Sequence, residues 1–172
     1  MVKKIASLIP YDDRIHREQL FQLNVEYFEY LRDAAIKNLG ATGFVKNPRE
    51  YVKSVFPEFA SIKPYEGIIY LLMVDDKAIG MGALRKLEDG VGEIKRMFIR
   101  PEYQGRGYGK EMMDRLMDKA REFGYKILRL DSAFFLEAAI HIYKSVGFKE
   151  RGKYPGVEAE AGPHYIYMEK KL

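Results

Sequence analysis

A chain of 172 residues is long enough to bury one core and too short for two comfortable ones, and its 47% hydrophobic and 31% charged residues are the balance of a folded domain, not a disordered one. The formal charge of +4 is spread without a run of five basic residues, which argues against a tail that grasps nucleic acid. Cysteine is absent and His16, His141 and His164 lack metal-motif spacing, so disulfides, thiolate nucleophiles and sulfur-ligated zinc are excluded and no metal is expected.

Lys3 and Lys4 precede an apolar stretch over residues 5–9 that is shorter than the roughly 7- to 15-residue core of a signal peptide. One cytoplasmic domain spanning residues 1–172, with no membrane partner, is therefore expected. Phe21, Val25, Phe28, Leu31 and Ala35 then recur at helical spacing up to Gly40, which predicts a helix over 15–39. A turn at Asn47 and Pro48 leads into a shorter helix over 50–59, and the β-branched and aromatic run over 68–74 predicts a strand. Asp75, Asp76 and Lys77 turn the chain into a second strand over 78–87, a hairpin partner, and a third strand follows over 92–99.

Beyond this point the order becomes strand, glycine loop, helix, strand, helix and strand, an arrangement of helices packed on a sheet. Met112, Met113, Leu116, Met117, Ala120 and Phe123 mark the core face of a helix that stops at Gly124. A strand over 127–130, a helix over 137–146 ended by Gly147, and strands over 148–153 and 165–168 complete the chain, with a long Gly-, Pro- and Glu-rich loop over 154–163.

The most informative stretch is 100–109, R-P-E-Y-Q-G-R-G-Y-G, where Gly105, Gly107 and Gly109 alternate between a strand and a helix. Glycine permits positive φ and close approach of the backbone, so successive N–H groups can converge on an anion at the positive end of the helix; a pyrophosphate suits such a site. A P-loop would place Ser or Thr where Glu111 follows Lys110, and the glycine offsets do not fit the dinucleotide fingerprint.

Gln104, Gly107 and Gly109 follow the pattern of Gln or Arg, two residues, Gly, one residue, then Gly or Ala. They come after the apolar strand and turn E-I-K-R-M-F-I-R-P, and Ala139, Tyr143, Gly147 and Phe148 lie at set spacing downstream. In this combination residues 93–148 resemble the GNAT superfamily of acetyl-CoA-dependent N-acetyltransferases. The resemblance implies an α/β (α+β) fold, with a mixed, largely antiparallel sheet of six or seven strands, flanked by about four helices and opened beside the coenzyme A loop. It implies transfer of an acetyl group from acetyl-CoA to a primary amine by direct attack on the thioester, without a metal.

Residue by residue, the resemblance gives the main chain of Met97, Phe98 and Ile99 to the pantetheine arm. It gives Gln104, Gly105, Arg106, Gly107, Tyr108, Gly109 and Lys110 to the pyrophosphate, Arg106 and Lys110 adding charge. Tyr143 becomes the general acid for the departing sulfur, since a phenol stays protonated at neutral pH. Glu93 becomes the general base, because the histone-acetylating branch carries its catalytic glutamate on this strand at the same distance before the loop. Where the family often has an asparagine seven residues before the tyrosine, this chain has Leu136, to which no role is assigned.

Acceptor specificity in the family comes from variable parts, here Tyr27, Tyr30, Tyr51 and Phe56, with Glu158, Glu160 and His164 in the last loop. Aromatic walls with carboxylates suit a cationic amine: a polyamine, another amino compound or a protein amino group. The family often forms symmetric homodimers. The other function to weigh is a non-catalytic acyl-CoA sensor, which needs the loop but not Glu93 and Tyr143 together.

Overall fold

A computed structural model describes residues 6–41, 45–156 and 164–172. Helix α1, Asp13–Leu39, starts where the Asp12 side chain accepts a hydrogen bond from the Arg14 N–H, and it ends at Gly40, whose φ of 69° lets its N–H return to the Ile36 carbonyl. Helix α2, Pro48–Ala60, begins behind an Asn47 cap with proline in its first turn. Strands β2, Ile68–Val74, β3, Lys77–Glu88, and β4, Val91–Ile99, then form an antiparallel meander.

Strand β1, Ala6–Pro10, pairs antiparallel with the outer edge of β2. Most of the apolar stretch over 5–9 thus forms a strand, because β2 offers it an unpaired edge. After a short 3₁₀ turn, Pro101–Tyr103, come α3, Tyr108–Glu122, β5, Ile127–Ala133, α4, Glu137–Ser145, β6, Lys149–Arg151, and β7, Tyr165–Lys171. Among the described residues the sheet has seven strands in the order β1-β2-β3-β4-β5-β7-β6, antiparallel except for β4 with β5.

Each face of the sheet carries its own core. Met112, Met113 and Leu116 of α3 pack with Leu84, Leu128, Leu130 and Phe148 on one face, while Leu20, Leu23 and Phe28 of α1 pack with Leu71, Met81 and Phe98 on the other. Fully burying side chains of this size stabilises by roughly 1.5–3 kcal/mol each. The methionines of α3 are core residues, as their spacing predicts.

Two irregularities position the site. Strands β4 and β5 pair only at Val91, Gly92 and Glu93 opposite Ile127, Leu128 and Arg129, so the sheet opens beyond Glu93. In β4, Phe98 lies opposite Met81 and Lys95 opposite Ala83, which leaves Arg96 and Met97 facing Gly82 alone; this is a bulge, with Arg96 at φ 51°. A Cβ on Gly82 would come within 2.9 Å of the Met112 side chain, so the missing side chain makes room for α3.

Candidate active site

The glycine loop hangs from the end of β4. Gln104 Nε2 donates to the Ile99 carbonyl at 2.8 Å, so the side chain of Gln104 fastens the loop to the strand. Gly105 and Gly107 adopt φ of 72° and 86°, and a Cβ built on either would meet nothing within 4 Å. Gly107 caps α3 without a side-chain bond, and Glu111 is the first residue whose N–H returns into the helix. Among the described residues, the N–H groups of 105–110 donate to no backbone or side-chain acceptor. A row of orphan donors on an open surface at the positive end of a fifteen-residue helix fits a diphosphate such as that of coenzyme A.

The charged side chains of the loop do not face this row. Arg106 lies over the Tyr103 ring at 5.4 Å and donates to the Glu102 carbonyl at 3.2 Å, while Lys110 is ion-paired with Asp114 at 2.6 Å. Gly109 serves packing, because a Cβ there would lie 2.8 Å from Ile142 Cδ1 and hold α3 away from α4. Tyr108 is half-buried against the core under α3.

Beside the loop, β3 pairs with one edge of β4 through Ile99 and Phe98, and the edge toward β5 is not paired by β5 beyond Glu93. Phe98 belongs to the core under α1, and Ile99 to the core under α3, with Met97 packed against it. Tyr143 on α4 is 7% exposed, with its ring 6.3 Å from that of Phe148. Burial, and then the Asp131 carboxylate, push its phenol well above the ordinary tyrosine range, so the proton stays on. Leu136, at the cap of α4, packs against the core under α1.

Glu93 is 0% exposed. Its Oε2 accepts from Arg85 Nε at 2.6 Å and its Oε1 from the Tyr154 hydroxyl at 3.0 Å, and Lys95 Nζ stands 3.9 Å from the same Oε1 and 3.7 Å from Asp131 Oδ1. Tyr154 is itself buried, with the Arg129 and Arg151 guanidiniums 5.5 and 5.7 Å from its ring and Tyr167 edge-on at 5.7 Å. Arg85 Nη2 also donates to the Gly156 carbonyl at 2.9 Å. Glu93 thus pins the segment after β6 twice, once through Tyr154 and once through Arg85. A buried carboxylate needs such partners: removing one side of a buried ion pair costs about 3–5 kcal/mol.

Between α2 and the sheet lies a cleft of about 600 Å³, lined by Tyr51, Glu58 and Phe59 of α2 and by Arg85, Lys95 and Arg96 of β3 and β4. The Arg96 guanidinium lies against the rings of Phe59, at 4.2 Å, and Phe28, at 5.2 Å, and it donates to Asn24 Oδ1 at 2.7 Å. Of the residues expected at the acceptor end, Tyr51 lines this cleft, and Tyr27 and Tyr30 each place a ring 6.0 Å from that of Phe98. Phe56 does not line it: its ring is buried edge-on to Phe21 in the core, because it falls on the sheet-facing side of α2. Glu158 and Glu160 lie outside the described residues, and His164 is exposed near Phe134.

The cleft cations and Tyr154 were not singled out from the sequence. The available signal was Lys95 and Arg96 standing as adjacent cations within the otherwise mostly apolar strand β4. Among the described residues no group of three or more His, Asp or Glu is placed to hold a metal ion, and no helix is long and apolar enough to cross a membrane.

An IAA acetyltransferase of Azospirillum brasilense is 34% identical over 95 residues, 55% of this chain and 61% of that protein. The match spans less than two thirds of the length of this and the other leading curated relatives. An acetyltransferase of the GNAT family from Staphylococcus aureus superposes with a TM-score of 0.72 at 18% identity, over 98% of this chain and 99% of that one. The PaiA N-acetyltransferase of Thermoplasma acidophilum, solved in complex with coenzyme A, gives 0.71 at 17% identity over 98% and 99%. At these identities the solved structures speak for the fold: the open, seven-stranded sheet with four helices is theirs too. The acetyltransferase (GNAT) family matches this sequence over residues 18–148, a span that contains most of α1, the opened strand β4, the glycine loop and α4, and the chain belongs to that family.

Proposed function

We propose that the protein is an acetyl-CoA-dependent N-acetyltransferase acting on a primary amine, whether a small molecule or an amino group of a protein. The observation that carries this reading is the row of orphan N–H groups at 105–110, lying beside the stretch of β4 that β5 leaves unpaired. When bound, acetyl-CoA supplies an activated thioester acyl group. The N–H groups of Gly105, Arg106, Gly107, Tyr108, Gly109 and Lys110 hold its diphosphate, with Gln104 keeping the loop in place. The main chain of Met97, Phe98 and Ile99 pairs with the pantetheine arm, and an N–H of this stretch polarises the thioester carbonyl.

Tyr143 retains its proton through burial and gives it to the departing sulfur as the amine takes the acyl group. Glu93 accepts the proton that the amine releases. Its burial requires a relay, through water or through the Tyr154 hydroxyl bonded to its Oε1. Tyr154 and Arg85 are positioning residues in this scheme.

The test is release of the coenzyme A thiol from acetyl-CoA in the presence of a panel of amines, followed as a function of pH for the native protein and for Glu93→Gln. Amine-dependent release, with its pH dependence flattened in the variant, is the expected result. Release that never depends on an amine rejects the transferase, and an unchanged profile removes Glu93 from the proton path.

A further inference from the structure

Under the N-acetyltransferase reading the acceptor stands in the cleft under α2, and the charge of its described lining runs against a cationic one. Among the described residues its lining holds three cations, Arg85, Lys95 and Arg96, and one carboxylate, Glu58. The bulge in β4 concentrates this charge. In a regular strand Lys95 and Arg96 would point to opposite faces; with Arg96 at φ 51° both line the cleft.

Arg85 is the best placed of the three. Its Nε is held by Glu93 and its Nη2 by the Gly156 carbonyl, yet its side chain is 34% exposed, and its Nη1 donors lie outside both bonds. A guanidinium fixed from behind by a buried carboxylate has lost its rotamer freedom in advance, and its Nη1 donors remain to meet a second carboxylate. Glu93 and Asp131 stand next to Arg85 and Lys95, and neither lines the cleft.

The geometry points to an acceptor that is a primary amine carrying a carboxylate, the chemistry of a free amino acid. Its carboxylate meets Arg85, with Lys95 and Arg96 beside it, and its side chain lies along Tyr51 and Phe59. A cleft of about 600 Å³ has room for such a molecule and for the acyl end of its donor. A polyamine would bring its ammonium groups against the same three cations. This assignment rests on the N-acetyltransferase reading and sharpens it.

The experiment compares kcat/KM for acetylation of amino acids with that for their amides, for the matching decarboxylated amines, for polyamines and for an amine phosphate such as phosphoethanolamine. Acetyl-CoA binding is measured by calorimetry on the same preparations. Carboxylated amines should be favoured by at least about tenfold over their amides. Arg85→Gln should bring that ratio toward one. Glu58→Gln, at a residue outside the core, should raise kcat/KM for the carboxylated acceptors by about two- to fivefold, because it removes a like charge from the lining.

Equal rates for acids and amides, a preference for polyamines or the amine phosphate, or a ratio unmoved by both substitutions would overturn the assignment while leaving the transferase standing. Acetyl-CoA binding without acetylation of any amine would overturn both. Absence of acetyl-CoA binding would remove the reading on which the assignment rests.

Discussion

At the start of α3 the proposed anion site is made from main chain: six consecutive N–H groups, two glycines at positive φ, and charged side chains folded away onto Tyr103 and Asp114. In the cleft under α2 the charge is carried by side chains instead, from Arg85 on β3 and from Lys95 and Arg96 on β4, steadied by a buried glutamate and a tyrosine from beyond β6. The first kind of site needs only a short run of chain with the right conformational freedom. The second needs elements far apart in sequence to arrive together. A main-chain site is also indifferent to most side-chain substitutions, whereas the charge of the cleft changes with its side chains.

This contrast breaks most sharply at Gly107. Gly107→Glu places a Cβ at φ 86° and a carboxylate beside the orphan donors, and acetyl-CoA affinity should fall by more than about 100-fold in calorimetric titration. Retained affinity would mean that the main chain of the loop is not the anion site. Tyr143→Phe comes next: kcat should drop by about 10- to 100-fold with the Kd for acetyl-CoA unchanged. Because burial raises the Tyr143 phenol, its proton is kept as pH rises through neutrality, and the loss of turnover due to this group should begin only above the ordinary tyrosine value of about 10. A Tyr143→Phe enzyme with native turnover removes the phenol from the mechanism. The smallest effects belong to Arg106→Ala and Lys110→Ala, each expected to weaken acetyl-CoA by less than about threefold, since both side chains already have partners elsewhere. A tenfold loss in either variant would move the phosphate site from the backbone to the side chains.

What could be read from the sequence follows the same division. The helices and the central strands were legible because their apolar spacing is local, and the glycine turn between β4 and α3 because alternating glycines there stand out in the sequence. Strand β1 was not, since Ala6–Pro10 is a strand only by virtue of the β2 edge beside it. Tyr154 sits in a Gly- and Pro-rich stretch that reads as loop, yet it is among the largest fully buried side chains, and its partner Glu93 lies sixty-one residues earlier. Phe56 was placed at the acceptor end because it is aromatic and on the second helix; one position on that helix decides between core and cleft, and the spacing alone does not reveal which. The cluster of Arg85, Lys95 and Arg96 depends on a bulge, and a bulge leaves no mark in a pattern read as strict alternation.

The three-residue seam between β4 and β5 has a mechanical consequence. Strands β1 to β4 form one leaf and β5 to β7 another, with backbone pairing between them at one end only and α3 packed across both. Such a sheet resembles a pair of tongs joined at 91–93. Each leaf has its own antiparallel pairing, and beyond the seam the two are joined by side chains, through the Lys95–Asp131 ion pair and the packing of α3 on both. An occupant that bonds to both inner edges would therefore act as a missing strand.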